Sequence, residues 1–267
     1  MSAQRPHVAR KRPEVARKRF GQHFLHDADV IRRIVDAISP APGQAIVEIG
    51  PGQGALTQPL LERGAALQVI EIDRDLAARM RERHGDALPV HCADALAFDF
   101  GTLPRGARIV GNLPYNISTP LLFHLARWAD RVGDMHFMLQ REVVERMVAH
   151  ASTPAYGRLS VMLQVRYRME LLFLVPADAF TPPPAVESAV VRMLPLAQGE
   201  RPQVDERVFA EVVSRAFSSR RKTLRNALKL DEGELAALGL EPKLRPENLT
   251  PADYVRIARR VSAACAR

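Results

Sequence analysis

The ten residues AIVEIGPGQG at 45–54 constrain the fold more than any other part of the chain. A short, β-branched apolar run passes directly into glycines at 50, 52 and 54, and residues 55–62 then carry helical spacing up to Gly64. Strand, glycine turn and helix in that order open a βαβ unit, because a parallel strand needs a crossover, usually helical, to return the chain to the same sheet. The alternation continues downstream. Strand-like runs at 67–72, 89–92, 108–110, 135–139, 170–175 and 188–193 are interleaved with helical periods at 75–83, 118–129, 141–149 and 159–165. Another amphipathic helix, with Asp27 as its cap, ends before Pro40, and Ser118 is the expected cap of the helix at 118–129. The expected architecture is α/β, a doubly wound, seven-stranded parallel sheet covered by helices. Prolines at 195 and 202 with Gly199 between them mark a linker, and the periods beyond it, at 208–217, 224–230, 234–238 and 251–264, are helical only. The expected organisation is a basic arm over 1–19, an α/β domain over 20–195 and a small all-helical domain over 203–267.

With 47% of its 267 residues apolar, the chain has enough material for a core, which excludes disorder as its main state. No apolar run approaches the roughly 20 residues that cross a bilayer, and the basic first twenty residues lack the apolar centre of a secretory signal. Cys92 and Cys265 stand far apart with no CxxC or Cys/His spacing, so no disulfide framework and no metal site is expected, and the expected location is cytoplasmic. Charge is unevenly spread. The net +8 is concentrated at the ends, with +6 over 1–19, +4 over 199–267 and −2 between. A near-neutral body with basic extremities suits an enzyme that meets a polyanion, although a basic terminus is also an ordinary solvated tail.

Glycines at 50 and 52 allow a tight bend and a close ligand approach to amides at the start of the next helix. The spacing is GxGxG after Glu48 rather than GxGxxG, which disfavours NAD and favours other adenosine-containing cofactors. Glu71, about 20 residues on, stands where doubly wound sheets place a carboxylate against ribose hydroxyls; alone it fits an exposed strand-end acid equally well. Asp94 follows the third strand and suits either an adenine amine or an ordinary turn.

Asn112-Leu113-Pro114-Tyr115, at the end of the fourth strand, has a chemistry of its own. An exocyclic adenine amine is a poor nucleophile because its lone pair is delocalised into the ring, so a catalyst that alkylates it has to localise that pair. The Asn112 side-chain carbonyl and the Leu113 main-chain carbonyl are two acceptors for its hydrogens. Pro114 stiffens the turn, and Tyr115 offers a face for the base. No ionised base is needed at the moment of transfer if the methyl donor is itself a cation. Taken alone, these four residues also fit a Pro-Tyr turn with a core tyrosine.

Eight segments taken together resemble the bacterial ribosomal RNA adenine dimethyltransferases of the small-subunit type, within the S-adenosylmethionine-dependent methyltransferases: RKRFGQHFL at 17–25, VEIGPGQGALT at 47–57, IEIDRDL at 70–76, NLPYNIST at 112–119, FMLQRE at 137–142, YGRLS at 156–160, FTPPPAVESAVV at 180–191 and RRKTLRN at 220–226. The resemblance implies a Rossmann-like methyltransferase sheet that moves methyl groups from S-adenosylmethionine to the N6 amines of two adjacent adenosines in 16S ribosomal RNA. It implies donor contacts at Gln22, His23, Leu25, Gly50, Gly52, Glu71, Asp94 and Asn112, with Glu71 on the ribose and Asp94 on the donor adenine. It further implies a target-base site of Asn112, Leu113 and Tyr115, with Phe180 stacking the base from the other side. The implied partner is small-subunit ribosomal RNA in an immature subunit, met by a monomeric enzyme. His23 departs from the asparagine common in the family; a neutral imidazole keeps one donor and one acceptor, whereas a charged one would repel a sulfonium.

Arg215, Arg220, Arg221, Lys222, Arg225 and Lys229 form a basic cluster with no acid within it, and on one helix Arg221, Arg225 and Lys229 would share a face. Arg221, Lys222 and Arg225 are the expected RNA contacts, against the plainer alternative of a solvated face. Three other functions fit parts of the pattern: a large-subunit RNA or DNA adenine methyltransferase, a ribosome-assembly factor that methylates secondarily, and an NAD-dependent oxidoreductase.

Overall fold

The side chain of Asp27 accepts a hydrogen bond from the Val30 amide at 2.9 Å and starts the first helix where the sequence places it. The structure, a computed structural model, describes residues 22–265; the basic arm at 1–19 lies outside the described residues. In chain order the elements are β1 (Phe24–Leu25), α1 (Ala28–Ile38), β2 (Ala45–Ile49), α2 (Thr57–Glu62), β3 (Ala66–Glu71), α3 (Arg74–His84), β4 (Val90–Cys92), β5 (Ala107–Asn112), α4 (Ser118–Ala126), β6 (Val132–Gln140), α5 (Arg141–Val148), α6 (Arg158–Gln164), β7 (Tyr167–Val175), β8 (Phe180–Thr181) and β9 (Ser188–Pro195). The helices α7 (Glu206–Ser218), α8 (Leu224–Leu228), α9 (Glu232–Ala237) and α10 (Pro251–Cys265) complete the chain.

Seven strands form one sheet in the order β4-β3-β2-β5-β6-β9-β7. Pairing is parallel from β4 through β6. The expectation of a wholly parallel sheet is corrected at one edge, where β9 lies antiparallel to both β6 and β7. The dozen residues from β7 to β9 hold a 3-10 turn and β8 but no α-helix, and so return the chain in the opposite sense. Strand order reverses between β2 and β5, and their carboxyl ends therefore border the crevice in which open α/β sheets bind ligands.

Side chains alternate across the sheet, so each strand supplies two cores. Val47, Ile109, Phe137 and Val191 pack with α4 to α6 on one face, and Ile46, Val110, Met138 and Val190 pack with α1 and α2 on the other. Met135 and Met138 are core residues, as their strand setting implies. A third cluster joins Tyr156, Val161 and Val165 to Phe209, Val213, Leu224, Leu235, Tyr254 and Ile257, so the C-terminal helices share their core with α6 and the loop before it. Tyr156 donates its hydroxyl to the Leu249 carbonyl at 2.8 Å across this seam. Ser118 is not the cap of α4. Ile117 holds that position, and the Ser118 hydroxyl donates back to the Tyr115 carbonyl at 3.0 Å.

Candidate active site

The carboxyl ends of β2 and β5 nearly touch. A Cβ on Gly111 would lie 2.4 Å from the Ile49 carbonyl oxygen, so only glycine lets the turn after β5 lie beside the turn after β2. In the latter turn Gly50 and Gly52 have φ of +68° and +56°, and the Gly50 amide donates to the Ile70 carbonyl at 2.9 Å. The two turns, the end of β3, the loop after β4 and residues 22–25 enclose a cleft of about 950 Å³, counted to its open mouth.

Gln22, His23, Leu25, Gly50, Gly52, Glu71, Asp94, Asn112, Leu113 and Tyr115 all line this cleft. Glu71 is not the exposed strand-end acid that its sequence position also allowed. It is 5% exposed, with Oε2 accepting from the Gly52 amide at 3.2 Å and Oε1 from the Asp73 amide at 2.9 Å. Burial raises its pKa above the usual carboxylate range, against the lowering by the Asp73 and Gly52 amides. Asp94 accepts from the Leu96 amide at 2.9 Å, so it makes the ordinary turn and faces the cleft as well.

At the end of β5, Asn112 Nδ2 donates to the His23 carbonyl at 3.1 Å. That bond orients the amide: with nitrogen committed to residue 23, the side chain presents Oδ1 as its acceptor. The Leu113 amide donates to the Met138 carbonyl at 3.1 Å, which anchors the start of the turn to β6. Tyr115 is held at both ends of its ring. Its hydroxyl lies 2.6 Å from Ser188 Oγ, and the His23 imidazole stacks on the ring with centroids 5.6 Å apart and planes at 26°. Burial raises the phenol pKa, so the hydroxyl stays protonated at neutral pH.

Phe180 is not brought into the cleft. It is 2% exposed, pairs with Leu25 between β8 and β1, and packs in the apolar cluster with Val30, Ala179 and Val190. The expected second stacking face is therefore absent from the cleft lining in this structure. The two-residue pair β1 and β8, invisible to periodicity, instead fastens residues 22–25 over the cleft.

Three contributors escaped the sequence. Glu48 lines the cleft 2% exposed, accepts from Thr57 Oγ1 at 2.6 Å, and has its pKa pushed up to about 7, chiefly by burial. Its signal was a lone carboxylate inside an apolar strand. Asp73 accepts from Gln22 Nε2 at 3.4 Å while capping α3, and Ser188 gave no local sign of its link to Tyr115.

The basic cluster differs from a single helix face. Arg221 precedes α8, Thr223 is extended, and Lys229 closes the helix in the left-handed region with φ of 58°. A Thr-led start and a turn before Asp231 confine the helix to five residues. Folding also supplies the acids missing from the local sequence, since Glu247 pairs with Arg220 and Glu232 with Arg225. Lys222, Arg225 and Lys229 nevertheless line one open surface depression, together with Asp231. Among the described residues no cluster of side chains is suited to a metal ion, and no helix is long and apolar enough to cross a membrane.

A family model described as ribosomal RNA adenine dimethylase matches residues 14–263. The chain is 59% identical over 251 residues to the ribosomal RNA small subunit methyltransferase A of Aromatoleum aromaticum, covering 93% of this chain and 95% of that one. It is 57% identical over 248 residues to the protein of the same name from Chromobacterium violaceum, covering 91% and 95%. Among solved structures, a dimethyladenosine transferase from Plasmodium falciparum superposes with a TM-score of 0.76 at 23% identity, over 90% of this chain and 98% of that one. The 23S rRNA methyltransferase ErmE superposes with a TM-score of 0.67 at 24% identity, over 90% and 99%. A sheet with this strand order, a cleft between the β2 and β5 turns, and a family match across nearly the whole chain agree: the chain belongs to the ribosomal RNA adenine dimethylase family.

Proposed function

We propose that this protein transfers methyl groups from S-adenosylmethionine to the N6 amines of two adjacent adenosines in small-subunit ribosomal RNA, giving N6,N6-dimethyladenosine during maturation of that subunit. The orientation of Asn112 carries the proposal, because Oδ1 is the acceptor left to a ligand at the mouth of the turn that also holds the Leu113 carbonyl and Tyr115.

The cleft suits such a donor in chemistry. It offers a buried carboxylate, a glycine turn that lets a ligand approach the backbone closely and apolar walls at Ile49, Leu56 and Ile70. Glu71 would hold the ribose hydroxyls, Asp94 the donor adenine amine, and residues 22–25 with Gly50 and Gly52 the remainder. When bound, the donor supplies a methyl on a cationic sulfur that leaves as a neutral thioether.

Tyr115 stacks the target base, and Asn112 Oδ1 and the Leu113 carbonyl accept the two N6 hydrogens. Localising the nitrogen lone pair in this way directs it at the methyl carbon. The N–C bond forms as the S–C bond breaks, and the extra proton on nitrogen then passes to solvent. Repetition on the monomethylated amine gives the dimethyl product. The partner is the RNA of an immature small subunit, approached by the basic surface at Arg221, Lys222 and Arg225. A monomer suffices, because one chain provides every residue named above. The test is mass analysis of ribosomal RNA after incubating the purified protein with unmethylated small subunits and S-adenosylmethionine. Two dimethyladenosines are expected; unmodified RNA on particles that bind the protein would overturn the assignment.

A further inference from the structure

Three segments distant in sequence meet at His23. Its carbonyl receives Asn112 Nδ2 at 3.1 Å, its Nδ1 lies 2.7 Å from the Pro182 carbonyl oxygen in the loop after β8, and its ring lies on Tyr115. A main-chain carbonyl only accepts, so Nδ1 carries the hydrogen of that bond. The imidazole is thereby fixed in rotation, and a ring bonded at one edge and packed on its face is part of the wall of the site. Tyr115 needs such support. Its hydroxyl is tied to Ser188, and a ring held at Cβ and at its oxygen can still rotate about the axis between them. Phe180 is buried in the core cluster and lends the cleft no second aromatic surface in this structure.

The spacing settles which face of Tyr115 the base takes. A purine inserted between two rings needs about 7 Å, two stacking rises of roughly 3.4 Å each, and the His23 and Tyr115 centroids are 5.6 Å apart. The face under His23 is therefore filled.

We propose that His23 is a positioning residue for the target base: its imidazole backs Tyr115 and sets the plane on which the adenine stacks from the other face. The proposal rests on the assignment of the cleft to adenine methylation. Through its main-chain bond to Asn112, the same residue aligns the acceptor of the N6 hydrogens with that plane.

The experiment compares wild type with His23→Ala, His23→Asn and His23→Phe. It measures the dissociation constant of S-adenosylmethionine by calorimetry, and kcat and KM for unmethylated small subunits. A ring stacked directly on a base is worth about tenfold or more in base binding, and His23 acts on that contact only through Tyr115. His23→Ala and His23→Asn should raise KM for the RNA substrate, measured at saturating donor, by up to about tenfold. His23→Phe keeps a ring but no Nδ1–H and should bring KM back to within about threefold of wild type. An unchanged KM in His23→Ala, a failure of His23→Phe to rescue it, or a KM effect that disappears once the donor is saturating would overturn the proposal. Melting temperatures of all three variants separate misfolding from these outcomes. A wild type that methylates no RNA would overturn the cleft assignment itself, and this proposal with it.

Discussion

The hydroxyl oxygens of Tyr115 and Ser188 lie 2.6 Å apart across 73 residues of sequence and tie the turn after β5 to the first residue of β9. Ser188 is wholly buried and Tyr115 half-buried, so removing either hydroxyl strands the other. A stranded buried hydroxyl costs about 1–3 kcal/mol. Tyr115→Phe and Ser188→Ala should each lose stability of that order in chemical denaturation, and the double variant should lose less than the two added together. Tyr115→Phe keeps its stacking face and should hold kcat/KM within about tenfold. Tyr115→Ala should lose about a hundredfold or more.

Glu71 is pinned by two main-chain amides, and its carboxylate is thereby placed for vicinal hydroxyls before any ligand arrives. Hydrogen bonds to a charged group contribute roughly 1.5–3 kcal/mol each. Glu71→Ala should weaken S-adenosylmethionine binding by about a hundredfold in calorimetry, and Glu71→Gln, which keeps one acceptor, by less. Equal affinity in wild type and Glu71→Ala would remove Glu71 from the donor site.

The features read correctly from sequence are those written into local chemistry. Ala45–Ile49 followed by Gly50 needed only a β-branched run and a glycine, and α1 needed only Asp27 and the spacing of Val30, Ile34 and Ile38. The features missed depend on partners distant in sequence. Phe24–Leu25 and Phe180–Thr181 are too short for any period, and their pairing buries Phe180, which a motif placed at the base. The antiparallel seating of β9 follows from what connects it to β7, and the acids opposite Arg220 and Arg225 come from α9 and from the 3-10 turn before α10. Glu48 was overlooked because alternation along a strand does not say which carboxylate the sheet will desolvate.

Gly111 tests the contact between the two turns. The Ile49 oxygen, 2.4 Å from a built Cβ, is backbone at the centre of a parallel sheet and cannot rotate away. Gly111→Ala should separate β5 from β2 at their carboxyl ends. The expected outcome is a loss of about 2–3 kcal/mol or more in stability, with kcat falling even in samples that remain folded. Gly106 has no atom within 4 Å of its built Cβ but sits at φ of +81°, so Gly106→Ala should cost less and leave kcat unchanged.

Glu48 makes both stability and donor affinity depend on pH. Its folded pKa, about 7, lies above the value of 4.5 for an exposed carboxyl, so the unfolded chain gives up its proton first as pH rises. The contribution of this group to stability is therefore greatest below pH 4.5 and declines until about pH 7, by about 3 kcal/mol; that of Glu71, raised in the same direction, declines with it. Glu48→Gln should flatten the part that Glu48 contributes, measured as denaturation midpoints between pH 5 and 8. A cationic donor favours the ionised carboxylate, so S-adenosylmethionine should bind more tightly as pH rises through 7, whereas the uncharged thioether product should not. The same slope for both ligands would exclude Glu48 as the source.

Arg225 and Glu232 form a pair 2.7 Å apart, more than half exposed on both sides. Such a pair is worth about 0–1 kcal/mol, little enough for an RNA phosphate to displace the carboxylate. If the depression lined by Lys222, Arg225 and Lys229 tracks a phosphate backbone, each neutralised phosphate contributes about 0.7–0.9 to the slope of log affinity against log salt. Arg225→Ala should weaken binding to unmethylated small subunits several-fold and flatten that slope by about one contact. Glu232→Gln should strengthen binding, since Arg225 would no longer have to leave a carboxylate first. Titrations at four or five salt concentrations distinguish this from a solvated surface, for which both variants would match wild type in affinity and in slope.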